Sequence, residues 1–495
     1  MEIYGYAPWG YEGDLVSIEV DLRRGIPGME IVGLPGGAVR EARDRLRIAL
    51  RRAGFEFPMD RILVNLGPAD LPKSGSGYDL PMALALLQAS GQWTPPVACL
   101  MAMGELTLDG RLRRVPGILA AAQRCRLAGI EALAVPEEAL SEAVCVGGSV
   151  ASGADLASLV RALAFRPREQ PARSAGYEEP PAMELRGQPR VRRALEVAAA
   201  GGHSLLLYGP PGAGKTLAAR SLEPLLPVLS PEAALETSRL WSLAGILPRN
   251  QGLLTRRPFR APHHSASAEG LLGGGKDLLP GEVSLAHHGV LFLDEAPEFS
   301  ARVLQSLREP LEQGAVSVVR AGRTAWFPSR FQLVLTANAC PCGQAGREKG
   351  VCFCSALEIR KYWDRVGTAL LDRVELRLFV TPETPSRLFE RPQPVERSKI
   401  DAAQERRRVR GQGPLIPNAA LGPRELDLWC APNGSGAAFL AEAAERHGWS
   451  SRALHSLLRV ARTLADLDGR DEVRTEDLEE AVSLRRPDGE EYWER

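Results

Sequence analysis

The run Gly209, Pro210, Pro211, Gly212, Ala213, Gly214, Lys215, Thr216 constrains this chain more than any other stretch. It fits G-x-x-x-x-G-K-[ST] without deviation. The apolar residues Ser204–Tyr208 before it read as a buried strand, and the residues after it open a helix. In that context the backbone N–H groups of the loop point inward and cradle phosphates. Lys215 is expected to reach the β- and γ-phosphates of ATP, and the Thr216 hydroxyl to ligate Mg²⁺. A strand–loop–helix of this kind belongs to an α/β fold with a parallel sheet.

A second apolar run, Gly289-Val-Leu-Phe-Leu, ends in Asp294 and Glu295. Four apolar residues closed by two carboxylates predict a buried parallel strand with charge at its C-terminal end. Asp294 is expected to hold Mg²⁺ through water, and Glu295 to act as general base on the attacking water. A third run, Phe331-Gln-Leu-Val-Leu-Thr-Ala, ends in Asn338, which would orient that water or touch the γ-phosphate. Two arginines suit the remaining roles. Arg373 is the candidate finger, given in trans to a neighbour's nucleotide, and Arg452 is the candidate sensor of nucleotide in cis.

At 495 residues the chain is too long for one core. Residues 1–165 alternate strand-like and helix-like stretches in an α+β pattern: Leu15–Val20 and Arg61–Leu66 as strands, Ala38–Ala53 as an amphipathic helix, Leu80–Gln88 as an apolar one, and a hairpin turning at Asp109-Gly110. Prolines mark a linker at 166–183, an ATPase core spans 184–385, and a second joint covers 386–397. Residues 398–495 read as helical, with Phe439–His447, Ser450–Leu467 and Thr475–Leu484 clearest and Thr475 as an N-cap. Lys+Arg and Asp+Glu balance at 61 each, so a nucleic-acid contact would need a local patch or a ring interior. The first residues lack a signal-peptide pattern and no apolar run is long enough to span a membrane. The expected location is the cytoplasm.

Several further stretches carry a family resemblance: Gly33-Leu-Pro, Asn65–Lys73, Gly75–Pro81, Arg257-Pro-Phe-Arg-Ala-Pro-His-His264, Pro280–His287 and Cys340-Pro-Cys-Gly343. With the phosphate loop and the Leu-Asp-Glu strand, they resemble the ComM/YifB family of magnesium-chelatase-like AAA+ ATPases over nearly the whole chain. The resemblance implies an N-terminal domain with a ribosomal-protein-S5-like fold, an AAA+ core and a helical C-terminal lid. It also implies a hexameric helicase that promotes branch migration when incoming single-stranded DNA recombines in natural transformation. Single-stranded or branched DNA would then be the partner.

In this branch of AAA+ proteins two insertions line the ring pore. One matches residues 256–282, rich in glycine, with Lys276 as a DNA candidate. The other, Ala315–Phe327, reads as a hairpin turning at Ala321-Gly322 and presenting Arg320 and Arg323. Six copies would make a basic ring suited to a phosphate backbone. The alternative is an ordinary hairpin with solvated arginines. Cys340, Cys342, Cys352 and Cys354 form Cys-x-Cys-x₉-Cys-x-Cys. Four thiolates can close a tetrahedral zinc site, although the one-residue spacing is tighter than usual. Reduced thiols without metal or a redox-sensitive pair are the alternatives. The pairs His263-His264 and His287-His288 lack the spacing of a helical zinc site and suggest loop packing or contacts between protomers instead.

The first domain also resembles the Lon-type protease domain. Alignment there places Gly77 at the nucleophile position, with Ser76 one residue off, and Leu119 at the lysine position. Residues 104–128 contain no lysine, so a Ser–Lys dyad is not expected and the domain reads as a non-proteolytic scaffold. Two other functions compete with the DNA translocase. A chelatase motor for metal insertion is disfavoured by the absence of Asp-x-Ser-x-Ser and by the extra N-terminal domain. A protein unfoldase or protease is disfavoured by the missing dyad, with Phe259 as its one pore-loop candidate.

Overall fold

The computed structural model describes residues 2–95, 97–164, 169–170, 183, 185–249, 251–320, 323–347, 350–383, 397–413 and 416–485. Most of the proline-rich linker and of the second joint thus lies outside the described residues.

The N-terminal part is built on an eight-stranded mixed sheet. Its centre is the antiparallel pair Glu2–Trp9 and Glu12–Arg23. Cys99–Ala102 joins one side in parallel, and Arg61–Gly67 joins the other in antiparallel fashion. The helix Gly37–Arg52 lays Val39, Ala42, Leu46, Ala49 and Leu50 on the core, as its 3.6-residue pattern predicts. Asp79–Ala89 is almost wholly buried, which explains why it is apolar all round. Its first residue, Asp79, is a buried carboxylate held by the Arg45 guanidinium at 2.9 Å. Gly110 turns the short hairpin Glu105–Leu106/Leu112–Arg113 with φ +85°, a backbone conformation that glycine adopts without strain.

The second part is a five-stranded sheet in the order Phe259–Arg260, Val290–Leu293, Gln332–Ala337, Leu205–Tyr208, Leu376–Phe379. Every pair in it is parallel. The three central strands are buried along their whole length, the signature of a sheet covered on both faces.

Helices from Arg397 to Arg485 form the C-terminal unit, and it is no detached lid. Leu457, Val460, Leu464 and Leu478 share one hydrophobic core with Leu195, Leu207 and Leu376 of the sheet layer. Helix Gly434–His447 begins five residues earlier than its apolar pattern suggests, because Asn433 accepts a hydrogen bond from the Gly436 N–H at 2.8 Å and caps a glycine-containing first turn. Thr475 is not the cap of its helix. Asp477 reaches back to the Arg474 N–H at 2.8 Å, while the Thr475 hydroxyl meets Ser435 at 3.0 Å.

The hairpin Ala315–Arg320/Arg323–Pro328 ties the two parts together. Phe327 is fully buried among Tyr6, Tyr11, Ile118 and Leu240. The Tyr11 N–H donates to the Trp326 carbonyl at 2.8 Å, and the two rings lie 5.3 Å apart. Gly10, at φ +67°, makes room for this: a Cβ there would sit 2.9 Å from both Ala325 Cβ and Trp326 O.

In the C-terminal unit Asp466 is buried and accepts from Arg410 at 2.8 Å, Arg462 at 2.9 Å and Asn418 at 2.9 Å. Asp466→Ala would leave two guanidiniums without their carboxylate. It is predicted to cost about 3–5 kcal/mol, read as a lowered urea midpoint. An unchanged midpoint would show that the network contributes nothing.

Candidate nucleotide site

The site lies where the parallel strands end. Leaving Leu205–Tyr208, the chain turns at Gly209, where a Cβ would meet the Val380 carbonyl oxygen at 2.2 Å. Gly212 and Gly214 take φ +82° and +86°, so the loop wraps tightly before helix Lys215–Arg220 begins. Lys215 is buried under this loop. Its Nζ donates to the Gly209 and Pro210 carbonyls, both at 2.9 Å, and to Asn338 Oδ1 at 3.1 Å. Burial pushes its pKa down, against the pull of Glu295 and Asp294.

The Thr216 hydroxyl lies 3.1 Å from both carboxylate oxygens of Asp294. Asp294 also accepts from the Thr336 hydroxyl, which in turn accepts the Glu295 N–H at 2.9 Å. Glu295 adopts φ +53°, an uncommon backbone for a non-glycine residue, and this turns it out of the strand direction. The Asn338 N–H donates to the Tyr362 hydroxyl at 3.2 Å. Lys215, Thr216, Asp294, Glu295 and Asn338, expected together from the sequence, therefore meet at one strand edge. A hydroxyl, two carboxylates and an ammonium beside inward-facing loop amides form a donor set that fits ATP with Mg²⁺.

Three residues were missed. Thr336 sits two positions before Asn338, on the same face of its strand, and that period of two was the available signal. Gln188, left-handed at φ +49°, donates its amide to the Ala213 carbonyl at 3.0 Å and its N–H to Glu383 at 2.6 Å. Tyr362 comes from a distant helix and had no local signal.

The arginines are placed differently. Arg373 pairs with Glu312, and Arg452 lies 3.6 Å from the same carboxylate. Both line a cavity bounded by Ser204, Gly289 and Gln332, the residues at the N-terminal ends of the strands. Four strand residues at about 3.3 Å each put roughly 13 Å between that edge and the phosphate loop. The cis placement of Arg452 is therefore corrected: it shares a face with Arg373, away from this chain's own loop.

Among the other candidates, Lys276 is exposed beside the ribbon Gly273–Gly274/Leu279–Pro280. A Cβ on Gly274 would be 3.3 Å from Val318, so the two insertions lie side by side. The Arg320 side chain and the turn Ala321-Gly322 lie outside the described residues. Arg323 is not a free tip cation. Its guanidinium sits 4.5 Å over the Trp9 ring and 3.4 Å from Asp14.

Cys340, Cys342, Cys352 and Cys354 do gather, with Sγ separations of 3.3, 3.7 and 3.5 Å among the first three. A tetrahedron of thiolates about 2.3 Å from zinc would have edges of about 3.8 Å, so the set fits such an ion. The Gln344 N–H lowers the Cys342 thiol to about 6, and Cys354 acts in the same direction. The turn also abuts the phosphate loop: a Cβ on Gly343 would touch Pro211 at 3.2 Å.

His287 and His288 both reach Glu236, at 3.1 and 2.7 Å. His287 Nδ1 accepts the Arg330 N–H at 3.0 Å, so the neutral ring carries its proton on Nε2 and donates to Glu236. Burial lowers its pKa to about 4, which keeps it neutral. The pair packs a junction, as its spacing suggested, and offers no free lone pair on His287 for a metal. In the N-terminal part, the Ser76 hydroxyl donates to Glu105, Lys73 Nζ donates to the Pro68 carbonyl, and Leu119 is buried.

Comparison with known proteins now bears on this geometry. The profile described as magnesium chelatase, subunit ChlI, matches residues 182–388. Subunit ChlI of Mg-chelatase matches 18–139, and the ChlI C-terminal region matches 393–485. The YifB protein of Salmonella typhimurium is 40% identical, over 98% of this chain and 96% of its own length. Escherichia coli YifB is 39% identical over 98% and 96%. Competence protein ComM of Haemophilus influenzae is 37% identical over 98% and 97%. The chain belongs to the ComM/YifB family of magnesium-chelatase-like AAA+ proteins. Membership implies ATP and Mg²⁺ as ligands, in agreement with the donor set at the strand edge. No described helix of this family member is long and apolar enough to cross a membrane.

Three substitutions test the site. Lys215→Ala is predicted to weaken nucleotide binding, and Glu295→Gln to bind ATP without turnover. Thr336→Val, which keeps the shape but removes the hydroxyl from Asp294, is predicted to lower turnover about 10–100-fold. Fluorescent-nucleotide binding and steady-state phosphate release measure both quantities. Normal hydrolysis in Lys215→Ala or Glu295→Gln would sink the assignment.

Proposed function

We propose that this chain is an ATP-driven DNA translocase of the ComM type, working as a ring, hexameric as the resemblance implies, and promoting branch migration during recombination of incoming DNA. The observation that carries the proposal is the full-length similarity to competence protein ComM. In this reading the phosphate loop Gly209–Thr216 binds ATP, while Thr216 and Asp294 hold Mg²⁺, which screens the phosphate charge. Glu295 takes a proton from the attacking water and Asn338 positions that water. Thr336 orients the Asp294 carboxylate and holds the Glu295 backbone N–H. Arg373 and Arg452 act together on the nucleotide of a neighbouring copy, and their placement at the sheet edge away from Lys215 supports this assignment.

The DNA would run along the paired insertions, with Arg320 and Lys276 as its phosphate contacts. Arg323 has a different part, latching the hairpin to Trp9 and Asp14. The four cysteines hold a structural zinc ion that stiffens the turn next to Pro211. A chelatase-type motor is the second reading, favoured by the family description itself.

Steady-state ATPase activity with and without single-stranded and forked DNA, at controlled salt, separates the two. The translocase shows strong stimulation by DNA, reduced in Arg320→Ala. Activity indifferent to DNA would return the chain to the chelatase-type class. Zinc is checked separately: the purified chain is predicted to carry one equivalent of the metal, lost in Cys342→Ser with Cys352→Ser. A metal-free native chain would remove that part.

A further inference from the structure

The cavity at the N-terminal ends of the core strands has a volume of about 820 Å³ and lies between the parallel sheet and the C-terminal helices. That is the size of a small-molecule site. Arginines outnumber carboxylates in its lining. Glu312 is taken by Arg373 and Arg452. Glu375 accepts from the Ser204 N–H at 3.1 Å and is bonded to His203 at 2.9 Å. Asp372 is exposed at the rim.

Three of the cations make side-chain hydrogen bonds to carbonyls alone among the described residues: Arg459, which donates to the Leu421 carbonyl at 2.8 Å, and the two more deeply enclosed ones, Arg257 and Arg407. Arg257 donates to the Pro227 carbonyl at 2.9 Å and the His288 carbonyl at 2.6 Å. Arg407 donates to the Ala200 carbonyl at 3.2 Å and the Ile416 carbonyl at 2.8 Å, and its buried Nε has no partner. Neither forms an ion pair among the described residues. Burial lowers each to about 10, and the charge of Arg407 depresses Arg257 further. Asp466 acts on Arg407 only from beyond ion-pair distance, and two buried guanidiniums without a direct carboxylate partner are better satisfied when an anion joins them. Their unused N–H groups can grip phosphate oxygens in pairs.

We propose that this cavity is an anion site for a phosphate-class ligand, with Arg257 and Arg407 as its cationic floor. It is separate from the phosphate loop, which opens at the opposite ends of the same strands. The bound group is either a free inorganic phosphate species or the diphosphate of a nucleotide.

The test is calorimetric titration of the full-length Lys215→Ala chain with inorganic pyrophosphate and, separately, with ADP. The Lys215→Ala background weakens the phosphate loop of this chain and of any neighbouring copy, so the outcome is independent of the ATPase reading. Saturable pyrophosphate binding is expected, weakened at least about tenfold by Arg407→Gln, a loss of about 1.4 kcal/mol. Arg257→Gln should act alike. If it fails to fold, Arg407→Gln alone decides, with its thermal melt as the folding control. Equal affinity for ADP and pyrophosphate assigns the site to inorganic phosphate species, and tighter ADP binding assigns it to a nucleotide. No binding, or binding indifferent to Arg407→Gln, overturns the proposal.

Discussion

Asp294 receives the Thr216 hydroxyl from one side and the Thr336 hydroxyl from the other. This small knot joins the helix after the phosphate loop to two adjacent strands of the sheet. Lys215 makes a parallel link to Asn338, at the end of the same strand that carries Thr336. A desolvated ammonium and a carboxylate at the end of a fully buried strand are costly to place. The surrounding loop carbonyls and hydroxyls offset that cost, so the geometry of the site and the integrity of the sheet edge depend on the same bonds. The strained Glu295 backbone is tolerated because its N–H is held by Thr336.

Around this knot the other parts are arranged on opposite ends of short strands. One end carries the phosphate loop, the acidic pair and the cysteine turn against Pro211. The other carries Arg373, Arg452 and the arginine-rich cavity. On the proposed reading, a phosphate loop and arginines that face opposite ways suit copies stacked head to tail, each completing its neighbour's site. The hairpin Ala315–Pro328 adds a second connection. Its inner residues follow the core helices, while Trp326 and Arg323 clasp the turn between the first two strands of the N-terminal sheet. A shift of the hairpin would therefore be felt in both parts.

Much of this was legible in the residues. The phosphate loop, the Leu-Asp-Glu strand and the Asn338 strand combine a short apolar run with a polar terminus, and both signals are local. The helix Gly37–Arg52 and the core helices were readable for the same reason, since periodicity is set by near neighbours. Helix Gly434–His447 was read too short because its first turn is glycine-containing and depends on the Asn433 cap. Thr475 is already the first helical residue, with Arg474 before it bonded through its N–H to Asp477, so the threonine does not sit at the cap position.

The sequence by itself determined the phosphate-loop cradle and the α/β core, because a motif eight residues long builds its own backbone turn. It also determined which cysteines could share an ion. Only the tertiary structure decided which arginines face which ligand. The direction of Arg452 depends on a hydrophobic core shared between the C-terminal helices and the sheet, and the fate of Arg323 depends on Trp9 and Asp14, more than three hundred positions earlier. Charged side chains on long flexible stems carry little local information about their partners. Packing across domains supplies it.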